Sequence, residues 1–223
     1  MSENWGSVLI ELIPLALVVA LSPLSIIPAV LVLHTPRPRP TGLAFLAGWL
    51  VGLAALTTIF LAVSGLVGGL GGKPPSWASW LRIVVGVALI VFGIYRFLTR
   101  KKSAHVPKWL SSMSKLTPVR AGAAGFALTI VNPKVLFICA AAGLAIGTTG
   151  LEGTRLWLAV LWYVVVAGST VALPILAYAV SGDRLDAPLT RLKNWMEDQH
   201  AVLVAAILVV IGLLVLYKGI HGL

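Results

Sequence analysis

Long apolar runs alternate with short, mostly basic connections along the whole chain. Six of the runs reach about 20 residues, the length a helix needs to cross the hydrocarbon of a bilayer. They are Val8–Leu33, Gly42–Val67, Trp77–Leu98, Ala121–Gly147, Leu156–Val180 and Ala201–Tyr217. The pattern predicts an all-α polytopic membrane protein with six transmembrane helices. A single transmembrane domain then covers residues 1–223. The longest polar stretches, near 99–120 and 182–200, are too short for a separate soluble domain. Both carry apolar residues at helical spacing: Trp109, Met113 and Leu116 in one, Leu185, Leu189, Leu192 and Met196 in the other. The second follows Asp186, with Pro188 in the first turn, so two helices are expected to lie on the membrane surface.

Two runs are interrupted at their centres. In the fourth, Asn132-Pro133-Lys134 places a helix breaker, an amide and a positive charge in the middle of the apolar stretch. Lys134 stands thirteen residues from either end. At about 1.5 Å per residue it is roughly 20 Å from each edge of a straight helix. A central Lys costs about 2.5–3.5 kcal/mol or more to insert, so an intramembrane Lys points to function. In the first run, Ser22-Pro23 sits near the centre, followed by Ser25 and Pro28. An offset of 110 residues lays Ser22-Pro23 on Asn132-Pro133. Three spans per half force the halves to insert with opposite topology, as in inverted-repeat transporters with discontinuous helices. Repeat one is expected over about 7–98, a cytoplasmic linker over about 99–120 and repeat two over about 121–223, with helices one and four broken. Each Pro removes a donor and leaves carbonyls that need partners in hydrocarbon. Ser22, Ser25, Asn132 and Lys134 can supply them, with Pro23 and Pro133 setting the breaks. Half-helix N-termini and Lys134 together favour an anionic group such as phosphate, sulfate or carboxylate.

Composition agrees with the pattern: 59% of residues are hydrophobic and 11% charged, far too apolar for a soluble chain of 223 residues. The net charge of +10 does not indicate nucleic acid, because the cations sit in loops flanking apolar runs. Connections after spans one, three and five hold eleven Lys or Arg, and the opposite side holds only Lys73, Arg155 and Lys218. Both termini are therefore expected outside, with the basic face toward anionic headgroups at the cytoplasmic surface. The N-terminus has no basic region before the first apolar run, so that run reads as a retained span rather than a signal peptide.

Other polar positions in the spans are Thr57, Thr58, Ser64, Thr129, Tyr163, Ser169 and Thr170, which read as glue between helices. Glu11 is the one acid within a span; it lies near the outer end and is a candidate vestibule or coupling residue. Trp49, Trp157 and Trp162 suit an interfacial belt or packing. Gly48-x-x-x-Gly52 and Gly65-x-x-x-Gly69 can bring helices, or two protomers of a homodimer, close together. His34, His105, His200 and His221 lie at loops or ends, and Cys139 is alone, so no metal site or cofactor is expected. No nucleophile is paired with a base, and an enzyme is not expected.

Six spans with Asn132-Pro133-Lys134 opening the second half resemble the LysE superfamily of exporters. Leu21-Ser22-Pro23, Thr35-Pro36-Arg37-Pro38-Arg39-Pro40 and Leu43-Ala44-Phe45-Leu46-Ala47-Gly48-Trp49-Leu50 resemble its mycobacterial branch. That branch is named for addressing peptidoglycolipid and sulfolipid to the cell surface. The resemblance implies an exporter or lipid translocator in the inner membrane of a bacterium with a complex envelope. It carries a site role onto Asn132, Pro133 and Lys134, and more loosely onto Ser22 and Pro23. The expected function is export or flipping of an anionic lipid or glycolipid. The alternatives are export of a small polar solute such as an amino acid, or an accessory role in a lipid export machine.

Overall fold

A computed structural model describes residues 5–67 and 115–198, with isolated positions between 87 and 98 and between 202 and 220. The chain divides into two compact units, residues 1–69 with 107–193, and residues 70–106 with 194–223. In the second unit the described positions, among them Val87, Val91, Ala205 and Leu213, are helical. The third and sixth expected spans, Trp77–Leu98 and Ala201–Tyr217, and the surface segment around Trp109 otherwise lie outside the described residues.

The first unit is helical. Helix α1 covers Trp5–Ala20 and α2 covers Pro23–Leu31, followed by a 3-10 turn at Val32–His34. Helix α3 covers Pro38–Val67, α4 Pro118–Val131, α5 Pro133–Gly147, α6 Gly153–Ser181 and α7 Asp186–Asp198, whose residues from Asn194 on belong to the second unit. α3 and α6 are each long and apolar enough to cross a membrane. Two further spans result if each bent pair is one crossing: α1 with α2, bent by 56°, and α4 with α5, bent by 73°. Both bends fall at the expected breaks.

Not every proline breaks its helix. Pro14, Pro28 and Pro174 lie inside helices that continue past them. At Ser22 and Asn132 the residue before Pro is extended, as the Pro ring demands, and Pro then opens a new helix at its first position. α3 starts four residues before the expected Gly42 because Pro38 is well suited to a first turn. α6 ends at Gly182, whose φ of 60° has no steric cost for glycine. Beyond it, the expected amphipathic segment forms α7, with Leu189 buried and Leu192 and Trp195 exposed.

Glycines set the packing around α3. Gly48 lies against the backbone of Gly122, Gly52 against Thr129, Gly143 against the Thr57 carbonyl and Gly147 against Ser64. Positions rise together on both sides, so α3 runs parallel to α4 and α5 in turn. The Gly48-x-x-x-Gly52 face is thus used within the chain and is not available for a protomer contact. Against α6 the order reverses: Gly42 meets Ile175, while Leu50 meets Gly168. α1 and α2 run parallel to α6, since Ala20 bonds Thr170 and Leu33, just beyond α2, meets the same glycine, Gly42, as Ile175. Trp49, Tyr163, Phe45, Leu12 and Leu53 are fully buried, and Phe45 and Trp49 stack at 6.4 Å. Trp49 is thereby a packing residue, whereas Trp157 and Trp162 stand exposed.

The outward surface is apolar. Ile10, Val51, Ile59, Trp157, Leu161, Val165, Leu173 and Val180 are all exposed. That distribution suits lipid as solvent, because a water-facing surface would strand them.

Candidate functional site

The second break is built around Asn132, which ends α4 and caps α5. Its backbone is extended, with φ −82° and ψ 103°. Its N–H donates to the Leu128 carbonyl at 3.2 Å, and its carbonyl accepts from the Leu136 N–H at 3.0 Å. The side-chain Oδ1 accepts the Lys134 N–H at 3.2 Å, so the amide group is a helix cap. Pro133, at the first helical position, has no N–H to satisfy. Asn132 is buried and Lys134 half-buried. Val131 and Phe137 flank them on the outer surface, 74% and 71% exposed. Among the described residues no carboxylate pairs with the Lys134 ammonium.

The first break has the same backbone plan. Ser22 is extended, with φ −74° and ψ 119°, and Pro23 opens α2. Four of its carbonyls accept hydrogen bonds. Leu17 O accepts from the Leu21 N–H at 2.8 Å, and Val19 O accepts from the Ser22 N–H at 3.2 Å. Ala20 O accepts from the Thr170 hydroxyl of α6. Ser22 O accepts from the N–H groups of Ser25 and Ile26. Its side-chain hydroxyls are less well served. Ser22 makes no side-chain cap. Ser25 is completely buried, and its hydroxyl has no partner among the described residues.

Each break gathers its own residues: Asn132, Pro133 and Lys134 at one, Ser22, Pro23 and Ser25 at the other. α1 packs on α5, so the two broken helices touch. No hydrogen bond among the described residues joins the two sets. Glu11 is exposed on α1, about three turns before Ser22.

Most of the polar side chains expected to glue helices together instead bond their own helix. Thr57 donates to Leu53 O at 2.8 Å, Ser64 to Leu61 O at 2.6 Å, Thr129 to Phe126 O at 2.7 Å and Ser169 to Val166 O at 2.7 Å. A hydroxyl in a helix has its own i−3 or i−4 carbonyl within reach, and it needs no distant partner. Thr170 does cross between helices, and its contact with the first break is absent from the sequence reading. Nor does that reading contain the buried pair Cys139 and Tyr163, whose Sγ and phenolic oxygen lie 3.6 Å apart between α5 and α6. Both residues lie on the faces that α3, α5 and α6 turn to one another, a relation that spacing along one helix does not reveal.

A family model described as Sap, sulfolipid-1-addressing protein, matches residues 12–221. No curated protein and no solved structure matches the chain.

Proposed function

The chain belongs to the sulfolipid-1-addressing protein family, and from that membership we propose that it is a transporter that exports or flips an anionic lipid or glycolipid of the cell envelope. The headgroup occupies a polar site at the two breaks while the acyl chains stay in the bilayer. Lys134 supplies charge, Ser22, Ser25 and Asn132 supply hydrogen-bonding groups, and Pro23 and Pro133 hold the helices open. Glu11, toward the outer end of α1, is a vestibule or coupling residue. In this reading the protein sits in a bacterial inner membrane with both termini outside, shares the LysE-type plan of exporters and is not an enzyme.

The observation that carries the proposal is the flank of the second break. A buried Asn132 and a half-buried Lys134 lie directly beside Val131 and Phe137, which are exposed on the apolar surface. A solute carrier needs a pocket sealed from lipid, whereas a lipid carrier needs a polar site next to the hydrocarbon. The inverted-repeat plan also has support. Exchanging the halves turns span one into span four and span five into span two. The parallel packing of α1 and α2 on α6 then becomes the parallel packing of α4 and α5 on α3, and both packings are present.

The test is flipping of a fluorescent sulfated glycolipid in proteoliposomes. Wild-type protein accelerates it, and Lys134→Ala lowers the rate at least about tenfold, the scale of a lost charged hydrogen bond. Full activity of Lys134→Ala overturns the site assignment. Counterflow of radiolabelled amino acids without lipid flipping overturns the substrate class.

A further inference from the structure

Among the described spans, α4 differs from the others in where charge stands on its apolar outer face. Val119, Ala123, Phe126, Ala127, Ile130 and Val131 are exposed along it, at the three- and four-residue spacing of one helix face. Arg120 is exposed on the same face at one end, in one row with Ala123, Ala127 and Val131. Lys134 follows just past the break at the other end. The outer faces of α3 and α6 have no such pair, because residues 40–67 and 156–181 contain no charged side chain.

Length fixes what the face can reach. Gly122 packs on Ala44 and Gly125 on Phe45, so α4 begins at the end of the unit that holds Arg37 and Arg39. Eleven residues separate Arg120 from Val131, a rise of about 17 Å. Half of a hydrocarbon core of about 30 Å is about 15 Å. α4 is thus long enough to cross one leaflet, with one cation at the membrane surface and the other near the midplane. Helix stability does not explain Arg120. It stands in the first turn of α4, where the helix dipole opposes a cation, and no acid in that turn offsets it. No ion pair among the described residues holds it.

An anionic lipid matches each part of this layout. Its headgroup meets a cation at the surface and a second at the midplane, and its acyl chains have a continuous apolar face between the two. A soluble anion makes no use of the apolar face, and an uncharged lipid makes none of the cations. We infer that the outer face of α4 is the loading track for the transported lipid, with Arg120 taking the anionic headgroup at the membrane surface and passing it to Lys134. The inference rests on the proposed reading of the protein as a lipid carrier, and it adds the residue and the face at which the lipid enters. Arg120 serves capture, whereas Lys134 serves the crossing. With the basic end in the cytoplasm, the lipid is drawn from the inner leaflet.

The experiment measures flipping of the fluorescent sulfated glycolipid against its mole fraction in proteoliposomes of otherwise neutral lipid. Arg120→Gln raises the half-saturating fraction about fivefold, the scale of one basic side chain's attraction to anionic lipid, and leaves the maximal rate unchanged. Arg120→Lys restores the wild-type value. Arg191→Gln, which removes an exposed cation on α7, changes neither quantity. Lys134→Ala lowers the maximal rate instead. A second measurement uses a photoreactive residue substituted at Ala127 or at Leu173, the latter exposed on α6. The sulfated lipid crosslinks more strongly at 127, and an equal mole fraction of phosphatidylglycerol leaves that difference in place. If Arg120→Gln keeps the wild-type half-saturation, or the two positions label equally, the inference fails and the transporter reading stands. If phosphatidylglycerol abolishes the labelling at 127, the face holds bulk anionic lipid and the inference fails in the same way. If the wild-type protein moves no lipid, the reading beneath it fails as well.

Discussion

A proline in a membrane helix removes one donor and separates the carbonyls of the preceding turn from their usual partners. In lipid those groups must be satisfied by protein or ligand, and the two breaks meet the requirement differently. Asn132 closes its own break with one side-chain bond, while Ser22 contributes none and leaves the carbonyl of Ala20 to Thr170. This difference predicts opposite responses to the same kind of substitution. Asn132→Ala removes a cap and lowers stability by about 1 kcal/mol. For a chain of this size that is a fall of about 2–4 °C in melting temperature. Ser22→Ala removes no cap and changes stability by less than about 0.5 kcal/mol. Thermal unfolding of the purified variants in detergent measures both, and an equal loss in the two variants contradicts the assigned bonding.

At the scale of elements, close approach of α3 to its neighbours depends on the absence of side chains. A Cβ on Gly48 meets the Gly122 carbonyl, and one on Gly143 falls against the Thr57 carbonyl and the Leu61 amide. Backbone atoms cannot swing aside as a flexible side chain can. Gly48→Ala and Gly143→Ala therefore each destabilise by about 1–3 kcal/mol, the usual scale of overpacking. Gly6→Ala, with open space around it, has no such effect. Melting curves of the three variants check this. The sequence makes some of these relations legible and hides others. The breaks at Ser22-Pro23 and Asn132-Pro133 can be read in advance, because the loss of a donor is covalent and local. The continuity of α6 through Pro174 cannot, because it depends on what packs around the proline. Gly48-x-x-x-Gly52 announces a close contact but not its partner, which is decided by residues about 70 positions away in the chain. The Thr170 to Ala20 bond spans 150 residues and has no periodic signature at all. Polar position is thus readable from one sequence, whereas polar pairing is a property of the assembled bundle.

For the molecule as a whole, the contacts in the first unit order its two ends. One end collects His34 with Thr190, Arg39 with Gly182 and Gly42 with Ile175. The other collects Ser64 with Gly147, next to Thr148 at the close of α5. The first end carries Arg37, Arg39, Arg184 and Arg191, all exposed. The second carries Arg155 as its nearest described cation. Cytoplasmic loops accumulate Lys and Arg, so the proposed orientation puts the end around His34 inside and the end around Thr148 outside. The same proposal turns the exposed Leu192 of α7 toward the inner leaflet. Two single-cysteine positions test it. Thr148→Cys is labelled by a membrane-impermeant maleimide in intact cells, whereas Thr190→Cys is labelled only after permeabilisation. Cys139 is wholly buried and stays unlabelled in both, so it need not be removed. Reversed labelling overturns the orientation. Labelling of both positions from one side overturns the crossing of the membrane by α6, and with it the antiparallel relation that the repeat plan requires.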